Sequence, residues 1–223
     1  MELSISILIE YLFRWMHFLA GITWIGLLYY FNFVQTEFFK ETEASTKSGA
    51  IIKLVPRALW WFRYGALLTF ITGLALAGFM GSTMNYYIAI GMLLGTLMFL
   101  NVWMIIWPNQ QIVIASAEQV AGGGEAIAGA PAALAKAGLA SRTNTLFSLP
   151  MLFFMGASAH LTGNGALSTS SASTVSLALV VLTILALQIN GMKGKTGIMT
   201  SVVGVIHCGL GLTAILLAMM QLL

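Results

Sequence analysis

The chain has 223 residues, of which 59% are hydrophobic and only 8% are charged, with a net charge of +3. Its mean hydropathy of +0.91 excludes an ordinary soluble domain, and long charge-free runs indicate helices that span a membrane. Lysines and arginines lie in connecting segments, where membrane topology accounts for them, so the positive charge does not predict nucleic-acid binding. The single cysteine, Cys208, excludes an intramolecular disulfide and a CxxCH haem attachment.

We predict an all-α integral membrane protein, a bundle of about six transmembrane helices in a single domain over residues 1–223. The first helix is predicted to be retained, because glutamates stand where a cleavable signal peptide carries lysines. The third helix, whose Gly91 and Gly95 favour close approach of a neighbour, is predicted to stop at Pro108. In the long connection that follows, Pro131 is predicted to begin a short surface helix. The six predicted membrane helices are approximately 6–36, 59–80, 86–107, 145–161, 175–189 and 198–223.

The distribution of positive charge predicts the topology. With six helices, three loops share one side of the membrane, and these loops and their flanks hold every lysine and arginine except Arg14. The loop at 162–174, which has no charge, suits a translocated connection. Because positive loops stay in the cytoplasm, both termini are predicted to face outward.

The stretch RWMHFLAGITWIGLLYYFN, residues 14–32, places ionisable side chains in an otherwise apolar helix. An imidazole without a partner is costly inside a membrane, so His17 is a functional hypothesis, with a metal ion or a haem iron as its partner. Six residues fall within one arc of this helix: Glu10, Arg14, His17, Gly21, Trp24 and Leu28.

Each of the three histidines, His17, His160 and His207, lies in a predicted membrane helix and has a glycine one turn away. A haem ligated by imidazole lies flat against a helix, and glycine removes the side chain that would strike it. The histidines are therefore candidate ligands for a non-covalent b-type haem. The alternative is a hydrogen bond from the histidine to a neighbouring helix.

Depth in the membrane decides which histidine pairs with His17. If the hydrocarbon core begins near Trp15, His17 is shallow and its partner is His160; if it begins near Ser6, the partner is His207. The sequence leaves this choice open.

Two further residues of the first helix have a functional and a structural interpretation. Arg14 either binds a haem propionate or an anionic substrate, or it pairs with Glu10 and extends to the membrane surface. Trp24 either lines a cofactor pocket or packs between helices. No catalytic residue is identified.

Three stretches resemble the membrane domain of the bacterial membrane-bound urate hydroxylases, the urate oxidase N-terminal family: RWMHFLAGITWIGLLYYFN, NVWMIIWPNQQ and SRTNTLFSLPMLFFMGASAH. The resemblance implies a bacterial inner-membrane location, in which the outward-facing termini predicted from the charges are periplasmic, and it supports His17 and His160 as family positions. In that family a cytochrome c module follows the membrane domain. This sequence includes no such module, so we expect an external cytochrome c or quinone as the electron partner.

The spacing of His17, Trp24 and the following glycine is also similar to the first helix of bacterial membrane protoporphyrinogen oxidases, which bind haem b. That family pairs its histidine with a lysine of a later helix, whereas the third helix here offers Asn101. This second resemblance therefore implies haem binding alone.

These observations predict a b-type haem protein that transfers electrons, either as a urate-hydroxylase-like oxidoreductase or as a cytochrome subunit of a respiratory complex with other membrane subunits. The alternative is a cofactor-free subunit that assembles or stabilises a membrane complex. A transporter ranks lower, because the charge-free helices contain no acidic coupling residue deep in the membrane.

Overall fold

The computed structural model describes residues 4–168 and 173–223, and in this part of the chain every regular element is helical. Residues 1–3, and the part of the predicted uncharged loop at 169–172, lie outside the described residues. The all-α membrane class is confirmed, because five helical segments of the described part are long and apolar enough to cross a bilayer. These segments are Ile5–Glu41, Val55–Thr83, Tyr86–Ala121, Thr174–Lys193 and Val202–Leu222.

The α-helices of the described part are α1 (Ile5–Tyr29), α2 (Thr36–Glu41), α3 (Ala44–Lys53), α4 (Val55–Met80), α5 (Tyr86–Asn101), α6 (Trp107–Ala121), α7 (Ala130–His160), α8 (Thr174–Lys193) and α9 (Val202–Leu222). A first π segment, Tyr30–Gln35, joins α1 to α2 without a break, and a second π segment, Val102–Ile106, joins α5 to α6. The polar stretch after the first predicted helix is itself partly helical, because it contains α3.

The prediction that the third helix stops at Pro108 is wrong, since α6 continues to Ala121. Proline inside a helix loses a hydrogen bond and clashes with the carbonyl four residues earlier. The second π segment lies just before Pro108, and its wider turn relieves that clash. Asn109 Nδ2 donates to Ile105 O at 2.7 Å, so a side chain satisfies one carbonyl of the widened turn.

The separate surface helix predicted at Pro131 is also wrong, because this stretch and the predicted fourth membrane helix form one helix, α7. The middle of α7 is polar, so α7 is not one of the five segments that are apolar enough to cross a bilayer by composition. This middle is nevertheless buried in protein, and its hydroxyl and amide side chains bond to backbone carbonyls, as Asn144 Nδ2 does to Met98 O at 3.0 Å. The buried polar residues here are Arg142, Thr143, Asn144, Thr145 and Ser148.

Contacts between Cα atoms divide the chain into two compact units, Met1–Gly81 with Asn101–Gly138, and Ser82–Leu100 with Leu139–Leu223. The single domain over 1–223 stays a prediction. In the first unit, α1 packs along α4, and Trp24 is buried at the contact. A Cβ on Gly65 would lie only 3.2 Å from Trp24 N, so glycine permits this close approach.

In the second unit, small residues again bring helices together. A Cβ on Gly91 would lie 2.8 Å from Met155 Cγ, and one on Gly95 would lie 3.5 Å from Met151 Sδ, so the predicted close-approach surface packs against α7. The hydroxyl of Tyr87 donates to Ser168 O at 2.9 Å and contacts the side-chain amide of Gln221.

We predict that Gly191→Ala destabilises the second unit. A Cβ at this position would lie 2.6 Å from Thr143 Oγ1 and 2.7 Å from Thr143 Cγ2. Thr143 is buried, and its hydroxyl donates to Leu139 O at 3.0 Å, so its side chain is held in place. We expect a loss of about 1–3 kcal/mol in the free energy of unfolding, measured by circular dichroism in detergent.

Gly26→Ala is the matched control, because a Cβ there meets no atom within 4 Å and alanine favours a helix. Equal melting temperatures for the two variants would contradict the role assigned to Gly191.

Candidate functional site

His17 lies half-buried where α1 packs on α4, and its hydrogen bond determines its tautomer. His17 Nδ1 lies 3.0 Å from Thr72 Oγ1, and Thr72 Oγ1 lies 2.7 Å from Leu68 O. The carbonyl only accepts, so the Thr72 hydroxyl donates its hydrogen bond to Leu68 O and accepts one from the N–H at His17 Nδ1. With the proton on Nδ1, the lone pair of the neutral His17 ring is on Nε2.

Gly73 sets the position of the His17 ring. A Cβ on Gly73 would lie 3.2 Å from His17 Cε1, so the imidazole rests directly against the backbone of α4. A Cβ on Gly21 would meet no atom within 4 Å, which leaves open space one turn along α1 from His17. An imidazole that donates from Nδ1, keeps its lone pair on Nε2 and has an adjacent glycine is of the kind that would hold a haem iron.

The structure shows the ion pair considered for Arg14. Arg14 Nη2 lies 2.5 Å from Glu10 Oε1, and the two side chains are 56% and 39% exposed. Such an exposed pair contributes about 0–1 kcal/mol to stability in water. Arg14 would therefore lose little free energy if it released Glu10 and bound another carboxylate. Binding of a propionate by Arg14 stays a prediction.

Trp24 is only 2% exposed and lies at the α1–α4 contact beside Gly65. In the described residues, Trp24 Nε1 is buried without a hydrogen-bond acceptor. This position supports packing between helices, the structural interpretation of Trp24. A role of Trp24 towards a cofactor stays a prediction.

His207 is exposed on α9, and its Nδ1 lies 2.8 Å from Val203 O. Because a carbonyl only accepts, Nδ1 donates and Nε2 keeps its lone pair, as in His17. His160 is the last residue of α7 and is also exposed. A Cβ on Gly156 or on Gly211 would meet no atom within 4 Å, so open space lies one turn from each histidine.

His17 belongs to the first unit, and His160 and His207 belong to the second. The pairing of His17 with either of them stays a prediction. Within the described residues, no group of three or more His, Cys, Asp or Glu side chains is arranged to hold a metal ion.

Arg63 is a feature that the sequence analysis missed, because it was assigned to the flank of a loop. It lies in α4, and its Cζ is 3.6 Å from the ring centroid of Trp107, 6.0 Å from that of Trp103 and 5.2 Å from that of Tyr64. In the described part of the chain, no carboxylate forms an ion pair with Arg63. Aromatic faces therefore compensate the charge of this guanidinium within a membrane helix.

The α4 turn that contains Arg63 packs between the two π segments. Phe62 contacts Phe31 of the first π segment at 5.5 Å between ring centroids, and Tyr64 contacts Trp103 of the second at 5.8 Å. Arg63 Nε and Trp103 Nε1 are buried without an acceptor in the described residues. The sequence signal for this cluster is an arginine two turns inside a helix, with tryptophans four residues apart in another helix.

Residues 79–218 match the model of a protein family described as urate oxidase N-terminal, and this range is well over half of the chain. It includes Trp103, Trp107, His160 and His207, whereas His17 precedes it. No curated protein and no solved structure matches the chain significantly.

We predict that Arg63→Lys lowers stability by about 1–2 kcal/mol, because an ammonium group lacks the planar face that stacks on Trp107. Arg57→Lys, on the exposed face of the same helix, is the matched control, with an expected change within about 0.5 kcal/mol. The measurement is the midpoint of unfolding of each purified variant in detergent. Identical midpoints would show that the aromatic rings do not select arginine.

Proposed function

The chain belongs to the urate oxidase N-terminal family, and on this premise we propose that it is a urate-hydroxylase-like membrane oxidoreductase that binds b-type haem and transfers electrons. The family match supports the oxidoreductase class. The arrangement of His17 supports the cofactor. External cytochrome c or quinone is the proposed electron partner, and other membrane subunits complete the assembly.

The observation that carries the proposal is the hydrogen bond of His17 Nδ1 with Thr72, which leaves the lone pair of the ring on Nε2. Thr72 accepts the hydrogen bond of the Nδ1–H group, and the ring packs against Gly73, so these two contacts would orient the imidazole as a ligand. When bound, haem supplies one-electron redox chemistry.

A second ligand for the iron is proposed from the sequence: His160 would supply it, with His207 as the alternative. Open space lies one helical turn from each of these histidines, at Gly156 and at Gly211. Arg14 is the proposed propionate anchor, for which it exchanges its exposed pair with Glu10. The role of Arg14 is then to orient the cofactor and to compensate its negative charge.

A second candidate function is a cofactor-free subunit that assembles or stabilises a membrane complex. The observation that favours it is the same bond from His17 to Thr72, since a purely structural histidine also donates to a neighbouring helix. The two functions differ in what Nε2 of His17 contacts.

We predict that the full chain, purified from haem-replete cells, shows a Soret band that shifts on reduction with dithionite. His17→Ala is expected to remove the band.

Thr72→Val is expected to lower haem affinity by about 10–100-fold, because the partner that orients the imidazole is lost. Replacement of the second ligand by alanine changes the iron from low spin to high spin and leaves haem bound. Spectra and a haem-to-protein ratio measure these effects.

Thr183→Val is the matched control for Thr72→Val. Thr183 also donates to a carbonyl one turn away, Leu179 O at 2.8 Å, on the exposed side of α8. Absence of haem and iron from the wild-type protein, with full stability of His17→Ala, would reject the haem proposal and favour the cofactor-free subunit.

We further propose that the chain crosses a bacterial inner membrane six times, with both termini in the periplasm. The five apolar segments supply five crossings. α7 supplies the sixth, since its 31 residues extend about 46 Å, more than the hydrocarbon core requires. The charge distribution supports this orientation.

Labelling of single cysteines tests this topology. In a Cys208→Ser background, Ser4→Cys and Gln221→Cys are expected to react with a membrane-impermeant maleimide in spheroplasts. Lys47→Cys is the control and is expected to react only after permeabilisation. Reaction of one terminus alone would indicate five crossings.

A further inference from the structure

A shallow groove at the junction of α3 and α4 carries two positive charges. Its lining includes Lys53 and Arg57, together with Ile52, Leu54 and Pro56, and a second groove continues from Arg57 along Trp60 and Trp61. Lys53 and Arg57 are exposed, and neither forms an ion pair in the described part of the chain. The groove therefore presents two cations that lack a counter-charge from the described residues.

The groove lies beside an apolar surface at the start of a membrane helix. Trp60 and Trp61 are 46% and 61% exposed and pack edge to face, with ring centroids 5.0 Å apart. Exposed tryptophan at the end of a membrane helix is typical of the headgroup level of a bilayer. Leu54, which is 48% exposed, adds a further apolar side chain on the N-terminal side of Arg57.

From the tryptophans towards the C-terminus of α4, the exposed apolar surface continues as a stripe. Tyr64, Leu68 and Ile71 are 39%, 38% and 50% exposed, and their spacing of three or four residues puts them on the same face as Arg57. From Arg57 to Ile71 the helix rises about 21 Å, which exceeds half the thickness of a hydrocarbon core of about 30 Å. One face of α4 thus combines a cationic end with an apolar track as long as one leaflet.

We propose that this face of α3 and α4 binds an anionic phospholipid. Lys53 and Arg57 contact the phosphate and the acidic headgroup, Trp60 and Trp61 lie at the glycerol level, and an acyl chain follows Tyr64, Leu68 and Ile71. The chemistry that selects this ligand is the combination of uncompensated positive charge with a continuous apolar track. A soluble anion would contact the positive charge but not the apolar track. A zwitterionic lipid would contact the apolar track but would not neutralise the two cations.

This site is distinct from the proposed haem ligand. Thr72 and Gly73, which contact His17, lie on the side of α4 that packs against α1, whereas the lipid track lies on an exposed face. Lipid binding therefore does not depend on haem content, and its test succeeds or fails separately from the test of function.

The test uses native mass spectrometry of the full chain in detergent, titrated with phosphatidylglycerol or with phosphatidylcholine. We expect tighter binding of phosphatidylglycerol to the wild type. The double variant Lys53→Gln, Arg57→Gln is expected to lose about thirtyfold in affinity for phosphatidylglycerol, since each surface cation contributes about fivefold. Binding of phosphatidylcholine is expected to change little.

The double variant Lys193→Gln, Lys195→Gln is the matched control, because it removes the same charge from exposed positions near the end of another membrane helix. Arg57→Lys retains the charge and is expected to retain most of the affinity. The proposal is overturned if both double variants lose affinity equally, if neither loses it, or if millimolar inorganic phosphate displaces the lipid from the wild type. Melting temperatures of all variants verify that each is folded.

Discussion

Polar groups inside a bilayer have no water to bind, so they depend on partners within the protein. In this chain many hydroxyls donate to a carbonyl one helical turn away, as those of Thr69 and Thr143 do. His17 and Asn144 reach a neighbouring helix instead, His17 at Thr72 of α4 and Asn144 at a carbonyl of α5. Each of these bonds lies within one unit, where it fixes the register of two helices that glycines allow to approach closely.

The two π segments follow from the same constraint. A widened turn frees backbone carbonyls, and nearby side chains satisfy some of them: Asn32 donates to Leu28 O at 2.9 Å, Thr36 to Phe31 O at 2.6 Å and Asn109 to Ile105 O at 2.7 Å. Such insertions are often found at functional sites. Here they also shape the surroundings of α4, since aromatic residues of both segments pack on the turn that holds Arg63.

The bond between His17 and Thr72 links the fold to the proposed function. It joins α1 to α4, and it also fixes the proton on Nδ1, which leaves Nε2 with the lone pair that a metal requires. The same hydrogen bond therefore suits both interpretations of His17, as a residue that joins α1 to α4 and as a metal ligand. Arg63 shows a different solution for a charge in a membrane helix, because it packs on the rings of Trp103 and Trp107, and no carboxylate of the described residues forms an ion pair with it.

The sequence by itself determined the membrane class and most positions of the apolar helices, because long charge-free runs have few other stable locations. It also determined the arc of the first helix that carries His17, since helical periodicity is local. Tertiary structure decided the rest. Thr72 lies 55 residues from His17, so only packing of α1 on α4 identifies it as the partner. The continuation past Pro108 depends on a π turn, and the polar middle of α7 is tolerated because neighbouring helices bury it.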